Sequence, residues 1–234
     1  AVSTTTGAIA GVFTWGPIGV PTLVTSETDL VNRFGAPVAG FNQETFFTAA
    51  DFLAYGNSLY VVRVDTGTVA TTAAGATWGT AVSSKYKGAY ANKLAIAVVG
   101  ATGNTASILD AGARFYAEKL RTPAANTFNV VVMDTVANVA VEVYESLSNG
   151  STAKNADGST NYLPEVIRQK SQYITITNDA ATSIQSAGSS LATYAALSVG
   201  GADGDNENAV SVATITNGYQ QFASPEDIDI SLIL

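Results

Sequence analysis

Apolar positions in the first 65 residues pass from strand spacing to helical spacing and back. Residues 7–13 form a short apolar run of strand length, closed by Gly16-Pro17, and 21–24 follow as a brief extended piece. Ser26 precedes a segment with Glu27 and Asp29 in its first turn and Gly35 at its end. That pattern predicts a helix over 27–34. Phe46, Phe47, Ala50, Leu53 and Ala54 recur at helical spacing, so a second helix is expected over 43–55, capped by Asn42. Gly56-Asn57 should end it with a residue at positive φ, and 59–64 is a strand. A strand–helix–helix–strand order lets the second strand return beside the first, which is an α/β unit.

After Asp65 the pattern changes. Residues 66–76 are Gly, Ala and Thr and read as a linker. Strands are expected over 93–99, 126–133, 138–147 and 172–177, with a hairpin-like stretch around 85–93. The segment 108–120 fits helix or strand. A helix is expected over 162–170, with Pro164 tolerated in its first turn, and another over 211–222. Residues 178–210 are poor in large apolar groups and read as loop. The last eight residues alternate and then turn apolar, as a final strand. The organisation expected is a core α/β domain from residues 1–65 and 216–234, interrupted by an inserted β-rich domain over 66–215. The start without Met and the apolar end suggest part of a longer chain.

Composition narrows the chemistry. The chain is 47% hydrophobic and 13% charged, enough apolar content to bury a core. It has no Cys and no His, which excludes disulfides, thiolate or imidazole metal ligation, and His-dependent triads. Net charge is -8, and residues 171–234 hold seven acids and no Lys or Arg. Lys85, Lys87 and Lys93 form the one local basic cluster, too small for a duplex-binding face and better read as solvated. No apolar run reaches the roughly 18 residues of a membrane span.

Three segments resemble contractile tail sheath proteins, most closely those of T-even-like phages. They are residues 11–17 with 23–35, residues 52–64, and the pair 200–204 with 222–234; Lys85–Leu94 adds a Tyr-x-Gly-x-x-x-Asn-x-Leu stretch. The resemblance implies a structural subunit that polymerises with its own copies as stacked six-membered rings around a tail tube. It would meet baseplate and tail terminator proteins and contract to drive the tube through the host envelope. It implies assembly in the host cytoplasm, residence in the virion tail, and an outward-facing inserted domain. A C-terminal domain and strand-exchanging arms would lie outside this chain. The sheath of a non-phage contractile injection system is the alternative within this class, although the similarity leans to phage. A tail-associated carbohydrate-binding module or carboxylate-based glycan hydrolase is the reading from a different class.

No catalytic, cofactor or metal residues are expected. Asp203-Gly204-Asp205-Asn206-Glu207 has calcium-like alternation, but an EF-hand loop would need Gly at 208 and Glu at 214, where Asn208 and Thr214 stand. A solvated acidic turn is the plainer reading. Residues 100–104 lack the third glycine of a dinucleotide fingerprint and read as a turn. Glu142 and Glu145, near Tyr144, are three apart on an expected strand and face opposite ways. Ser189-Ser190 and Lys85 have no visible base for nucleophilic work.

Overall fold

The computed structural model describes residues 5–66, 82–100, 121–124, 126–176, 192–197, 200–224 and 228–234. In chain order the strands are β1 (Gly7–Gly11), β2 (Thr22–Val24), β3 (Leu59–Arg63), β4 (Val82–Ser84), β5 (Leu94–Gly100), β6 (Thr127–Asp134), β7 (Val139–Ser148), β8 (Ile174–Ile176), β9 (Ala192–Ala196) and β10 (Leu232–Ile233). The helices are α1 (Glu27–Phe34), α2 (Gln43–Tyr55), α3 (Leu163–Lys170) and α4 (Val212–Gln220). The chain divides into two compact units. The first comprises Ala1–Thr68, Tyr86–Tyr90 and Ala202–Leu234; the second comprises Val69–Lys85 and Ala91–Gly201.

The first unit is α/β. Its sheet has the order β10-β1-β3-β2. β1 and β3 run parallel, from Gly7 opposite Leu59 to Gly11 opposite Arg63, and α1 with α2 form the crossover between them. Ile9, Leu59 and Val61 meet Phe13, Leu30, Phe34, Phe46 and Leu53 in one buried cluster. α4 packs on β1 and β3 through Gly218, where an added Cβ would lie 2.8 Å from Val64 Cγ1 and 2.9 Å from the Cβ of Ala10. Only a residue without a side chain lets the helix come so near the strands.

Local chemistry sets the helix ends. Ser26 Oγ accepts from the Asp29 N–H at 3.1 Å, and Gly35 stops α1 at φ 82°. α2 departs from expectation at both ends. Asn42 makes no side-chain cap bond to α2; its Oδ1 accepts instead from the N–H of Val38 at 2.8 Å. Gly56 is extended at φ -124°, not left-handed. What constrains Gly56 is the Phe52 ring, 3.0 Å from where a Cβ would stand.

The second unit is β-rich. Its antiparallel sheet has the order β7-β6-β5-β9, beside a separate β4-β8 pair. Ala95, Ala97, Val99, Val131 and Met133 form a buried cluster on it. β9 falls where a loop was expected. Its sequence, Ala-Thr-Tyr-Ala-Ala, carries little strand signal, but five of its residues pair with β5. The expected hairpin around 85–93 is instead a bend and a 3-10 turn, Ala89–Lys93. Pro164 sits in the first turn of α3, where its missing N–H costs nothing. The final strand is shorter than the alternation suggests, since β10 holds only Leu232 and Ile233.

Candidate assembly surface

Polar groups that carry chemical possibilities in the sequence are mostly committed to holding the chain. Arg63 ends β3 at 1% exposure, and its Nη1 donates to the Gly16 carbonyl at 3.1 Å. Burial lowers its pKa to about 10, against the opposing pull of Asp203 and Asp65. Asp203 Oδ1 accepts from the Ala89 N–H at 2.7 Å, and its carbonyl accepts from Thr66 Oγ1 at 2.8 Å. Glu207 accepts from the N–H groups of Glu44 and Thr45 at 3.1 and 3.0 Å, and from Thr45 Oγ1 at 3.1 Å. The acidic stretch is thus more than the solvated turn expected. Asp203 and Glu207 bind backbone amides, while Asp205 is exposed. Among the described residues no three Asp or Glu groups converge as a metal site.

The three lysines also separate. Lys85 Nζ donates to the Arg168 carbonyl at 2.9 Å, which satisfies an orphan acceptor in the last turn of α3. Lys87 pairs with Asp65 at 2.8 Å, and Lys93 with Asp134 at 3.4 Å. Glu142 accepts from Ser171 Oγ and from the Gln172 N–H, both at 2.6 Å. Burial, then the Glu142 charge, pushes the Tyr144 phenol well above its ordinary range. Ser171 is fully buried, so this cluster ties β7 to the end of α3 and offers no reachable nucleophile. Glu145 is exposed. Gly100 ends β5; residues 101–104 and Ser189-Ser190 lie outside the described residues.

What the first unit presents outward is sheet edge and apolar surface. β2 and β10 are the edge strands, and Leu23, Leu232 and Ile233 on them are exposed. Among the described residues these edges carry no further strand, and such an edge beside exposed apolar side chains suits the addition of one. A groove of about 700 Å³ runs beside β10, lined by Tyr219, Phe222, Ile228, Ile230, Leu232 and Ile233 among others. On α2, Phe47 and Tyr55 also face outward. Among the described residues no helix is long and apolar enough to cross a membrane.

Residues 4–64 match the model of the tail sheath protein Gp18 domain III N-terminal region. Over these residues the chain is similar to the tail sheath family. The tail sheath protein of Enterobacteria phage T4 is 52% identical over 61 residues, 26% of this chain and 9% of that protein. That of Vibrio phage KVP40 is 48% identical over 63 residues, 27% of this chain and 9% of that protein. The matched stretch therefore spans under a tenth of the curated relatives' length. Among solved structures, the sheath tail protein of Listeria innocua aligns with a TM-score of 0.56 at 19% identity, covering 100% of this chain and 40% of that one. The sheath tail protein of Desulfitobacterium hafniense aligns at 0.51 and 14%, covering 99% and 41%. At these identities the two structures speak for a shared fold alone.

The family match falls on β1 through β3 and covers the resembling segments 11–35 and 52–64; residues 85–94, 200–204 and 222–234 lie outside it. Two functional features escaped the sequence reading. Glu207 caps α2 from more than 160 residues away, and nothing local marks it. Arg63 did leave a trace, as the one charged residue inside an apolar strand run.

Proposed function

We propose that this chain is part of a structural subunit of a contractile tail sheath. In this reading the subunit polymerises as stacked six-membered rings around a tail tube and shortens to drive the tube through the host envelope. Its partners would be other sheath copies, the tube protein, and the baseplate and terminator proteins at the two ends. It would assemble in the host cytoplasm and reside in the virion tail. The second unit would face outward, where few assembly contacts depend on it.

The observation that carries this reading is the 52% identity to a phage tail sheath protein across a folded β1–β3 unit. Support also comes from the chemistry. The described polar clusters bind backbone groups, the role of a scaffold and not of a reaction centre. Neighbouring copies could use the edges of β2 and β10 to join by main-chain bonds, which hold subunits together while their bodies move.

The test is electron microscopy of the full-length parent protein expressed with its tube protein. Helical tubes with six-fold rings are the expected result. A parent protein that stays monomeric beside assembled tube would overturn the proposal.

A further inference from the structure

Residues Tyr86–Tyr90 lie between β4 and β5 in sequence, yet they belong to the first unit. Five contacts seat them there. Trp15, 3% exposed, has Tyr86 at 5.3 Å and Tyr90 at 5.0 Å between ring centroids. Gly88, at φ 141°, passes so close that a Cβ would stand 2.6 Å from the Thr14 carbonyl oxygen. The Ala89 N–H binds Asp203, and Lys87 pairs with Asp65. The segment is short, and its ion pair with Asp65 is exposed to solvent.

Its seat is shared. Asp203, which holds Ala89, sits four residues before Glu207, which holds the N-terminus of α2. The Thr66 hydroxyl binds the Asp203 carbonyl, and Gly204 lies hard against the Thr66 carbonyl at φ 74°. Contacts run from Trp15 through the 86–90 turn to Asp203, and four residues of chain lead on to Glu207, whose own N–H donates to the Phe41 carbonyl at 2.9 Å and whose carboxylate caps α2.

We propose that Tyr86–Tyr90 is a strap that opens as a local unit, and that its seating controls the capping of α2 by Glu207. With the strap seated, Asp203 is fixed and Glu207 is delivered to the Glu44 and Thr45 amides. With the strap lifted, Trp15 is uncovered, the 203–207 loop loosens and those two amides lose their acceptor. The device gives the first unit two states that differ at a helix end and an aromatic surface.

The test uses the full chain with Trp78→Phe, which leaves Trp15 as the single indole. Tyr86→Ala and Gly88→Val each unseat the strap, the first by deletion and the second by a clash with backbone. Both are expected to shift Trp15 emission to longer wavelength. Both should also raise hydrogen exchange at the Glu44 and Thr45 amides about tenfold or more, with the β5–β6 amides unchanged. Unchanged exchange at Glu44 and Thr45 after a Trp15 shift would sink the coupling. An unchanged Trp15 emission in both variants, or loss of β5–β6 protection together with the strap, would sink the idea of a separately opening segment.

Discussion

Glu207 grips Thr45 twice, through its backbone N–H at 3.0 Å and its hydroxyl at 3.1 Å, across 162 residues of chain. A carboxylate at a helix N-terminus meets both the orphan amides and the positive end of the helix dipole. Asn42, the residue placed by sequence to do this work, is turned back to Val38. Glu207→Ala is therefore expected to cost about 1–2 kcal/mol, the range of a lost N-cap. Asn42→Ala should act through the turn before α2, by freeing the Val38 N–H. Chemical denaturation of both variants, with helix content followed by circular dichroism, measures the difference. Equal helix-end fraying in the two would contradict the assignment.

Arg63 allows two effects to be separated by size. Removing the whole side chain from a fully buried site leaves a void and orphans the Gly16 carbonyl. Arg63→Ala should cost about 3–5 kcal/mol, as other large core truncations do. Arg63→Met keeps most of the volume and removes the desolvation penalty that lowers the arginine pKa to about 10. That variant still orphans the Gly16 carbonyl and removes the cation facing Asp203 and Asp65, so its cost should be about 1–3 kcal/mol, below that of alanine. Urea melts of the two proteins decide it. If methionine were as damaging as alanine, the guanidinium charge would matter more than its volume.

Acid should weaken the second unit through Asp134. Burial opposes ionisation there, but the Ala137 and Val136 N–H groups and the Lys93 ammonium outweigh it. The carboxyl is held below its ordinary value of 3.8. A carboxylate whose folded pKa is depressed adds stability above the unfolded pKa and loses it as pH falls through the folded value. Stability of the wild type should therefore decline from about pH 4 downward. Asp134→Asn should start lower and show a shallower decline. Melting temperature as a function of pH for both proteins tests the slope, and parallel curves would exclude Asp134 as a source.

Most of the first unit was legible because its signals are local. Ser26, Glu27, Asp29 and Gly35 bound α1 by themselves, and the helical spacing of Phe46, Ala50 and Leu53 defined α2. The parallel return of β3 beside β1 follows from the crossover order. What was not legible depends on distant chain. β9 is a strand because β5 offers it an edge, not because Ala-Thr-Tyr-Ala-Ala favours extension. The cap by Glu207 and the strap over Trp15 arise between residues that no sequence period connects. The acidic motif was visible as chemistry, but its use was not, since carboxylates that cap amides and carboxylates that face water look alike in a sequence.

The strap also changes what can be cut from the chain. From sequence alone, residues 66–215 form one insert, and a short linker in their place in the intact protein should leave polymerisation possible. In the first unit that cut removes Tyr86 and Tyr90 from Trp15, Asp203 from Arg63, Glu207 from α2, and the first turn of α4. Several of these losses cost about 1–3 kcal/mol each, and together they approach the 5–15 kcal/mol that typically holds a domain. A different pair of cuts, removing 69–85 and 91–201 with short Gly/Ser joins, keeps every one of these contacts. The Ala89–Asp203 bond places the ends of the second join close together. Both shortened chains lack Trp78, so Trp15 reports alone. The double cut is expected to melt cooperatively with a buried-indole emission, and the single cut to show exposed emission and no cooperative transition. Cooperative melting of the single cut at the same temperature would mean that the strap, Glu207 and the start of α4 contribute little to the first unit.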